Sequence, residues 1–177
     1  MFFLKHLHRT IRLPPQYFGP QLRTAVLRKL YEEVEGRIDG QYGYIISVLN
    51  IVEVGSGVLQ PMTGLAEFNV VYQALVMKVF KNMVVDVVVT VVNTLGFWAD
   101  LGPLTMFVAA ALLPSYYKFD PAASPAAYVN EEDNGHEQRI EKGMAVRARI
   151  IGIRTDATEI FAVGTIKEDY LGPQPGV

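Results

Sequence analysis

Three groups of residues in this 177-residue sequence have side chains that could do chemistry. His6 and His8 lie two apart on a predicted strand and share a face, a spacing that could bind a metal ion. No third ligand lies nearby in the sequence, so two surface histidines are the simpler interpretation. The second group, Glu32, Glu33 and Glu35, lies at the end of a predicted helix and is typical of a solvated helix face. Neither group supports catalysis, so we predict no catalytic residues, no metal and no cofactor.

The third group combines aromatic residues with cations. Alternate side chains of a strand share a face, so Trp98 points out of a barrel if Phe97 and Ala99 point into it. An outward Trp98 beside Phe107 would give a stacking platform for nucleic-acid bases. Phosphate contacts would come from four cations: Lys81, Lys118, Arg147 and Arg149. The residues leave open an alternative, in which Trp98 packs on the other module of the chain.

The composition is that of a globular protein without an overall basic field. Hydrophobic residues make up 50% of the chain and charged residues 19%. The 16 Lys and Arg against 18 Asp and Glu give a formal net charge of −2, which disfavours tight, salt-driven binding to duplex nucleic acid. The absence of Cys excludes disulfides, Cys-zinc sites and a Cys nucleophile. Residues 1–13 mix His and Arg into an apolar stretch, which makes a poor signal peptide.

The first module, residues 1–78, is predicted to have an α+β fold. Residues 2–13 favour a strand that ends at Pro14. Apolar residues at helical spacing predict a helix over residues 21–34. Three further strands are predicted over residues 42–54, 58–60 and 67–80. One helix on one antiparallel sheet is the expected arrangement.

The second module, residues 79–177, is predicted to be an all-β barrel. Five antiparallel strands, over residues 84–93, 96–100, 105–108, 145–153 and 158–167, suit an OB fold. The longest apolar run, 79–108, is interrupted by Lys81, Asn82, Asp86 and Asn93, so it does not predict a membrane span. Its first strand is apolar on both faces, which predicts burial on both sides. Residues 115–141, which include the acidic run 131–133, are predicted to be a long loop.

Two turns in the first module carry candidate docking residues. The aromatic turn comprises Tyr17, Phe18, Gly19 and Pro20, and a hairpin turns near Gly57. Exposed apolar residues at the tip of a domain often mark a protein-docking surface. The alternative is that the aromatic turn folds back onto the helix.

Motifs along nearly the whole chain resemble one known family. They are residues 1–5 (MFFLK), 18–20 (FGP), 30–36 (LxxEVEG), 42–46 (YGYII), 66–70 (AEFNV), 102–104 (GPL) and 164–172 (GTIKEDYLG). In order and spacing they are similar to the stalk subunits of RNA polymerases, the family of the seventh subunit of eukaryotic RNA polymerase II and the archaeal E subunit.

The resemblance implies a ribonucleoprotein-like tip domain followed by an OB barrel in a non-catalytic subunit. It implies a heterodimer with the fourth subunit of RNA polymerase II, docking on core subunits near the clamp, and contact with single-stranded RNA in the nucleus, with cytoplasmic shuttling. The core-docking positions map to Tyr17, Phe18, Gly19 and Pro20 and to the loop around residues 55–61, which contains Gly57 and Pro61. The RNA-facing aromatic positions map to Trp98 and Phe107. The barrel alone leaves open a free single-stranded RNA-binding protein, although the net charge argues against it.

Overall fold

The computed structural model describes residues 1–130, 139–156 and 158–174. The acidic run 131–133 lies outside the described residues, as do residues 175–177. Contacts divide the chain into two compact units, Met1–Lys78 and Val79–Val177. Over the described ranges, we find no helix with the length and apolar character that a membrane span requires.

The first unit is an antiparallel sheet with one helix on one face. Its elements are β1 (Phe2–Leu13), α1 (Leu22–Val34), β2 (Ile38–Asp39), β3 (Gly43–Val54), β4 (Val58–Leu59) and β5 (Ala66–Met77), with a 3-10 turn at Pro15–Tyr17. The sheet order is β1-β5-β3-β2, and β4 pairs with the start of β5. The α+β prediction for this module is therefore confirmed.

The core of the first unit lies between α1 and one face of the sheet. The helix buries three apolar residues that recur every four positions, Val26, Leu30 and Val34. They form one cluster with inward-facing strand residues such as Ile11 and Val70. Helical spacing on one side and strand alternation on the other bring these side chains together.

The second unit is built around a closed barrel. Its strands are β6 (Val84–Asn93), β7 (Gly96–Leu101), β8 (Leu104–Ala109), β9 (Tyr117–Asp120), β10 (Ala127–Asn130), β11 (Arg139–Ile140), β12 (Ala145–Thr155), β13 (Ile160–Thr165) and β14 (Gly172–Pro173). The sheet order is β13-β8-β7-β6-β12-β14, and β13 also pairs with β12. This second pairing of β13 closes the five long strands into an OB-like barrel, as predicted.

Two predictions about the second unit are wrong. Not all barrel strands are antiparallel, because β13 runs parallel to β8. The predicted long loop over 115–141 contains β9, β10 and β11, which form a three-stranded antiparallel sheet of their own. Tyr117 and Tyr128 of this small sheet are buried, and the Tyr128 hydroxyl donates to the Asn93 carbonyl at 2.8 Å. Strands of two to four residues are too short to show a periodic pattern.

The prediction that β6 is buried on both faces is also wrong. Val85, Val87 and Val89 face the barrel core, whereas Val84 and Val88 are exposed. A register shift between Val89 and Val91 then turns Val91 outward, against the strict alternation expected from the sequence.

Candidate functional site

A row of outward apolar side chains crosses four strands of the barrel. The register pairs Val91 of β6 with Trp98 of β7, and Trp98 with Phe107 of β8. Phe107 is in turn paired with Val163 of β13. Cross-strand partners of this kind point to the same face of a sheet. These four residues, called here the aromatic row, therefore form one continuous surface strip.

The two rings of the aromatic row contact each other. Their centroids lie 4.7 Å apart at an interplanar angle of 43°, within the range of favourable aromatic pairs. Phe97 and Ala99, the neighbours of Trp98, are fully buried, so Trp98 points away from the barrel core. Trp98 and Phe107 are partly exposed, and the flanking Val91 and Val163 are 52% and 43% exposed. The geometry is that of a platform on which a flat ring could stack.

The predicted arginines are not part of the aromatic row. Arg147 pairs in register with Asp86, five residues before Val91 along β6, a separation of about 16 Å at the rise of a strand. The Arg147 side chain donates two hydrogen bonds to the Asp86 carboxylate, at 2.7 and 3.0 Å. This pairing lowers the pKa of Asp86 and raises the pKa of Arg147.

The other three predicted cations differ in their surroundings. Arg149 forms an ion pair with Glu168, so both predicted arginines are engaged by carboxylates. Lys81 and Lys118 are exposed. Among the described residues, the Lys81 ammonium is not part of a carboxylate ion pair.

The predicted docking residues lie at one end of the first unit. Tyr17 and Phe18 are exposed, and they line an open pocket of about 400 Å³ together with Gly19, Pro20 and the first turns of α1. The hairpin that contains Gly57 and Pro61 ends at Gly64, whose Cβ position would lie 3.8 Å from the Pro15 ring. The two segments are therefore neighbours in the fold.

Sequence reasoning did not single out three apolar residues of this end, although two of them lie within the predicted docking loop 55–61. Val58 and Leu59 are each 63% exposed and Met62 is 98% exposed. Together with Tyr17 and Phe18 on the neighbouring segment, these exposed residues are called here the apolar tip. The sequence does place these three residues in a short hairpin between Gly57 and Gly64. Apolar residues in such a hairpin have little room for burial, so their exposure could have been predicted.

Gly57 is required by the packing behind the apolar tip. A Cβ at this position would lie 2.6 Å from two ring atoms of Phe68. Phe68 is a buried member of the core of the first unit. The close approach of the Gly57 backbone to this ring fixes where the hairpin leaves the sheet.

The two other candidate groups provide no chemistry of their own. His6 and His8 are both exposed on β1. Over the described ranges, no three His, Cys, Asp or Glu residues are arranged to hold a metal ion. The Glu35 carboxylate accepts a hydrogen bond from the Val48 amide at 2.8 Å, which gives it a structural role.

Comparisons with known proteins agree with this architecture. Residues 8–64 match the model of the SHS2 domain found in N terminus of Rpb7p/Rpc25p/MJ0397. The chain is 51% identical over 173 residues to DNA-directed RNA polymerase II subunit rpb7 of Schizosaccharomyces pombe, covering 97% of this chain and 98% of that protein. It is 42% identical to the subunit of the same name in Dictyostelium discoideum, over 97% of this chain and 98% of that protein. It is 40% identical to RNA polymerase II subunit RPB7 of Saccharomyces cerevisiae, over 97% and 99%.

An SHS2-type unit followed by an OB-like barrel, in a chain 40–51% identical to named RNA polymerase II subunits, defines a non-catalytic subunit of a DNA-directed RNA polymerase. At these identities and coverages the resemblance is confirmed. The chain belongs to the Rpb7 family of RNA polymerase II subunits.

Proposed function

We propose that the chain is a stalk subunit that docks on the polymerase core near the clamp through its apolar tip. Its second surface, the aromatic row, contacts nascent single-stranded RNA in the nucleus. A dimer with the fourth subunit completes the stalk. The observation that carries this proposal is the concentration of exposed apolar side chains at one end of the first unit.

The apolar tip supports docking on protein rather than on nucleic acid. Large exposed apolar side chains are costly in water and mark surfaces that a partner covers. Leu59 and Met62 offer aliphatic surface, and Tyr17 and Phe18 offer aromatic surface of the kind enriched in interface cores. Stacking of successive bases would instead use a ring platform with a basic groove.

The aromatic row supports a contact with single-stranded RNA that is weak when the chain is alone. The second unit contains eight Lys or Arg against twelve Asp or Glu, a formal net charge of −4. Repulsion of phosphates by this charge opposes the gain from stacking. Contact with nascent RNA therefore depends on the polymerase holding the transcript close to the row, which raises its effective concentration.

Exposed valines on β6 support a partner subunit. Val84 and Val88 lie on the outer face of β6 and are exposed in this chain. Coverage by the fourth subunit would remove this apolar surface from water. Coexpression with that subunit should raise the soluble yield of the chain, and equal yields with and without it would count against the dimer.

The decisive experiment is affinity purification of the tagged chain from cells. We expect the large polymerase subunits and the fourth subunit to copurify. Recovery of only ribosomal or unrelated proteins would overturn the proposal.

Considered by itself, the aromatic row favours an alternative function, that of a free single-stranded RNA-binding protein. It predicts appreciable RNA binding by the isolated chain, lost in Trp98→Ala. Absence of binding at low salt would exclude this alternative and leave the stalk proposal standing.

A further inference from the structure

The hairpin of the apolar tip is attached to its sheet over a short length. β4 contributes two residues, whose register partners are Glu67 and Ala66 at the start of β5. Beyond β4 the hairpin closes on itself: the Gln60 amide donates to the Leu65 carbonyl at 2.8 Å, and the Gly64 amide donates to the Gln60 carbonyl at 3.0 Å. The hairpin is therefore ordered internally, whereas two residue pairs alone orient it poorly on the sheet.

The aromatic turn is the other segment of the apolar tip, and it directly follows β1. The Tyr17 amide donates to the Pro14 carbonyl at 3.1 Å, and the Phe18 amide donates to the Pro15 carbonyl at 2.9 Å. The turn is thus held by its own backbone, and its position depends on where β1 ends. The relative placement of the two segments depends on the contacts that join the end of β1, the start of β5 and the hairpin.

One carboxylate joins these three elements. Glu67 of β5 pairs in register with Arg12 of β1 on one side and with Val58 of β4 on the other. Cross-strand partners point to the same face of a sheet. The Arg12 Nε donates to the Glu67 carboxylate at 2.6 Å, and the Gln60 side chain of the hairpin hydrogen-bonds the same carboxylate. These three residues, Arg12, Glu67 and Gln60, are called here the polar clamp.

The polar clamp is charge-assisted and is anchored to the helix as well. The hydrogen bonds from Arg12 and from Gln60 lower the pKa of Glu67 below its ordinary value of 4.5, so the carboxylate is charged at neutral pH. Hydrogen bonds to an ionised acceptor are stronger than those between neutral groups. The Arg12 carbonyl in turn accepts a hydrogen bond from the Lys29 ammonium of α1. The carboxylate therefore ties the hairpin to a part of β1 that is itself held in place.

We propose that Glu67 is a positioning residue that holds the two segments of the apolar tip in the arrangement that docks on the polymerase. This inference rests on the docking function proposed above. Glu67 acts through Gln60, which follows Leu59, and through Arg12, which lies five residues before Tyr17. A surface divided between two segments fits its partner best when both are already in place. Without the clamp, docking would include the entropic cost of ordering the hairpin.

Substitutions of Glu67 in the tagged full chain test this role by polymerase recovery in affinity purification. Glu67→Ala removes both hydrogen bonds, so recovery should fall at least about tenfold. Glu67→Gln keeps an acceptor oxygen and should retain most of the recovery. Asp156→Ala is the matched control, because it removes a carboxylate that lies 3.5 Å from Arg154 in the second unit, and it should recover the polymerase normally.

The outcomes separate the positioning role from docking itself. Leu59→Asp, which places a carboxylate in the apolar tip, serves as the reference variant. Normal recovery with Glu67→Ala while Leu59→Asp loses the polymerase would overturn the positioning role and leave the docking proposal standing. Equal losses in Glu67→Ala and Asp156→Ala would also overturn it. Normal recovery with Leu59→Asp as well would overturn docking through the tip, and this inference with it.

A charge swap and amide hydrogen exchange test the polar clamp directly. Arg12→Glu places two carboxylates opposite each other and should lower recovery at least about tenfold, whereas the double variant with Glu67→Arg restores the pair and should come within about twofold of wild type. In the purified chain, Glu67→Ala should speed exchange of the Gln60 and Gly64 amides about tenfold. This measurement needs no polymerase. Unchanged exchange at both amides, or a double variant that folds but recovers no more polymerase than Arg12→Glu, would overturn the proposal.

Discussion

The apolar tip and the aromatic row are both exposed apolar surfaces, but they are built in different ways. The tip consists of aliphatic and aromatic side chains on a short hairpin and a 3-10 turn, in a unit with a formal net charge of +2 from eight Lys or Arg and six Asp or Glu. The row lies on four paired strands of a barrel with a net charge of −4.

This difference separates two binding modes. A hairpin of large apolar side chains gains its free energy from burial, which requires a shaped protein partner. A row of paired strand residues with two rings in contact gains from stacking, which tolerates many bases but is opposed here by net negative charge. Mutation of the apolar tip should therefore weaken docking on the polymerase without changing RNA binding. Mutation of the aromatic row should weaken RNA binding without changing docking.

The largest effect is expected from Leu59→Asp in the apolar tip. A carboxylate at the centre of an apolar interface would be buried without a partner, so polymerase recovery in affinity purification should fall at least about a hundredfold. Folding should be little affected because Leu59 is exposed. Tyr170→Asp, at a 93% exposed position of the second unit, is the control and should copurify normally. Normal recovery of the polymerase with Leu59→Asp would show that the apolar tip is not the docking surface.

Gly57→Ala should act on the same surface through stability. The added Cβ would lie 2.6 Å from the Phe68 ring, so the ring or the hairpin must shift, at a cost of about 2 kcal/mol. A thermal melt should show a midpoint lower by about 8–16 °C if the first unit unfolds by itself. Gly40→Ala, where a Cβ would have no heavy atom within 4 Å, is the control. Equal thermal midpoints for the two variants would show that the contact with Phe68 does not determine the loss of stability.

The fold class and most strand positions could be predicted from alternation, helical spacing and turn residues, because those signals are local. The helix begins one residue later than predicted, and β6 has the predicted bounds. Three features could not be predicted because they depend on pairing between distant segments. They are the outward turn of Val91 at a register shift, the parallel pairing of β13 with β8, and the small sheet within 115–141.

The candidate site, too, could be predicted only where it depends on local sequence patterns. Alternation placed Trp98 outward, and the structure agrees. The engagement of Arg147 by Asp86 was not predictable, since it joins residues 61 positions apart through the β6–β12 register. Residue type suggests which side chains could bind phosphate, but only the fold shows which of them already have a carboxylate partner.

Trp98→Ala should separate the aromatic row from the tip. Loss of one stacked base would weaken single-stranded RNA binding about tenfold, while polymerase recovery stays unchanged. Trp98→Phe keeps a ring and should retain most of the affinity. Filter binding or anisotropy with the purified chain at low salt gives the measurement. If Trp98→Ala and Trp98→Phe bind RNA equally, stacking at this position is excluded.

The smallest effect is expected from Asp86→Asn, which tests whether charge limits the aromatic row. Removing the carboxylate frees Arg147 for a phosphate, so RNA affinity should rise by about twofold. Asp100→Asn removes the same charge from the barrel without releasing an arginine, and it is the matched control. An equal gain in both variants would show that net charge, rather than the release of Arg147, limits binding.

The same variant gives a pH test of the ion pair. The hydrogen bonds from Arg147 hold the folded-state pKa of Asp86 below its ordinary value of 3.8. The pair therefore stabilises the fold above that ordinary value, and this contribution is lost as the pH falls through the lower folded-state pKa. Because the pair is exposed at the surface, wild type and Asp86→Asn should differ by less than about 1 kcal/mol at neutral pH. Thermal melts should show this difference shrinking below pH 3.8, and a difference that grows there would contradict the assignment.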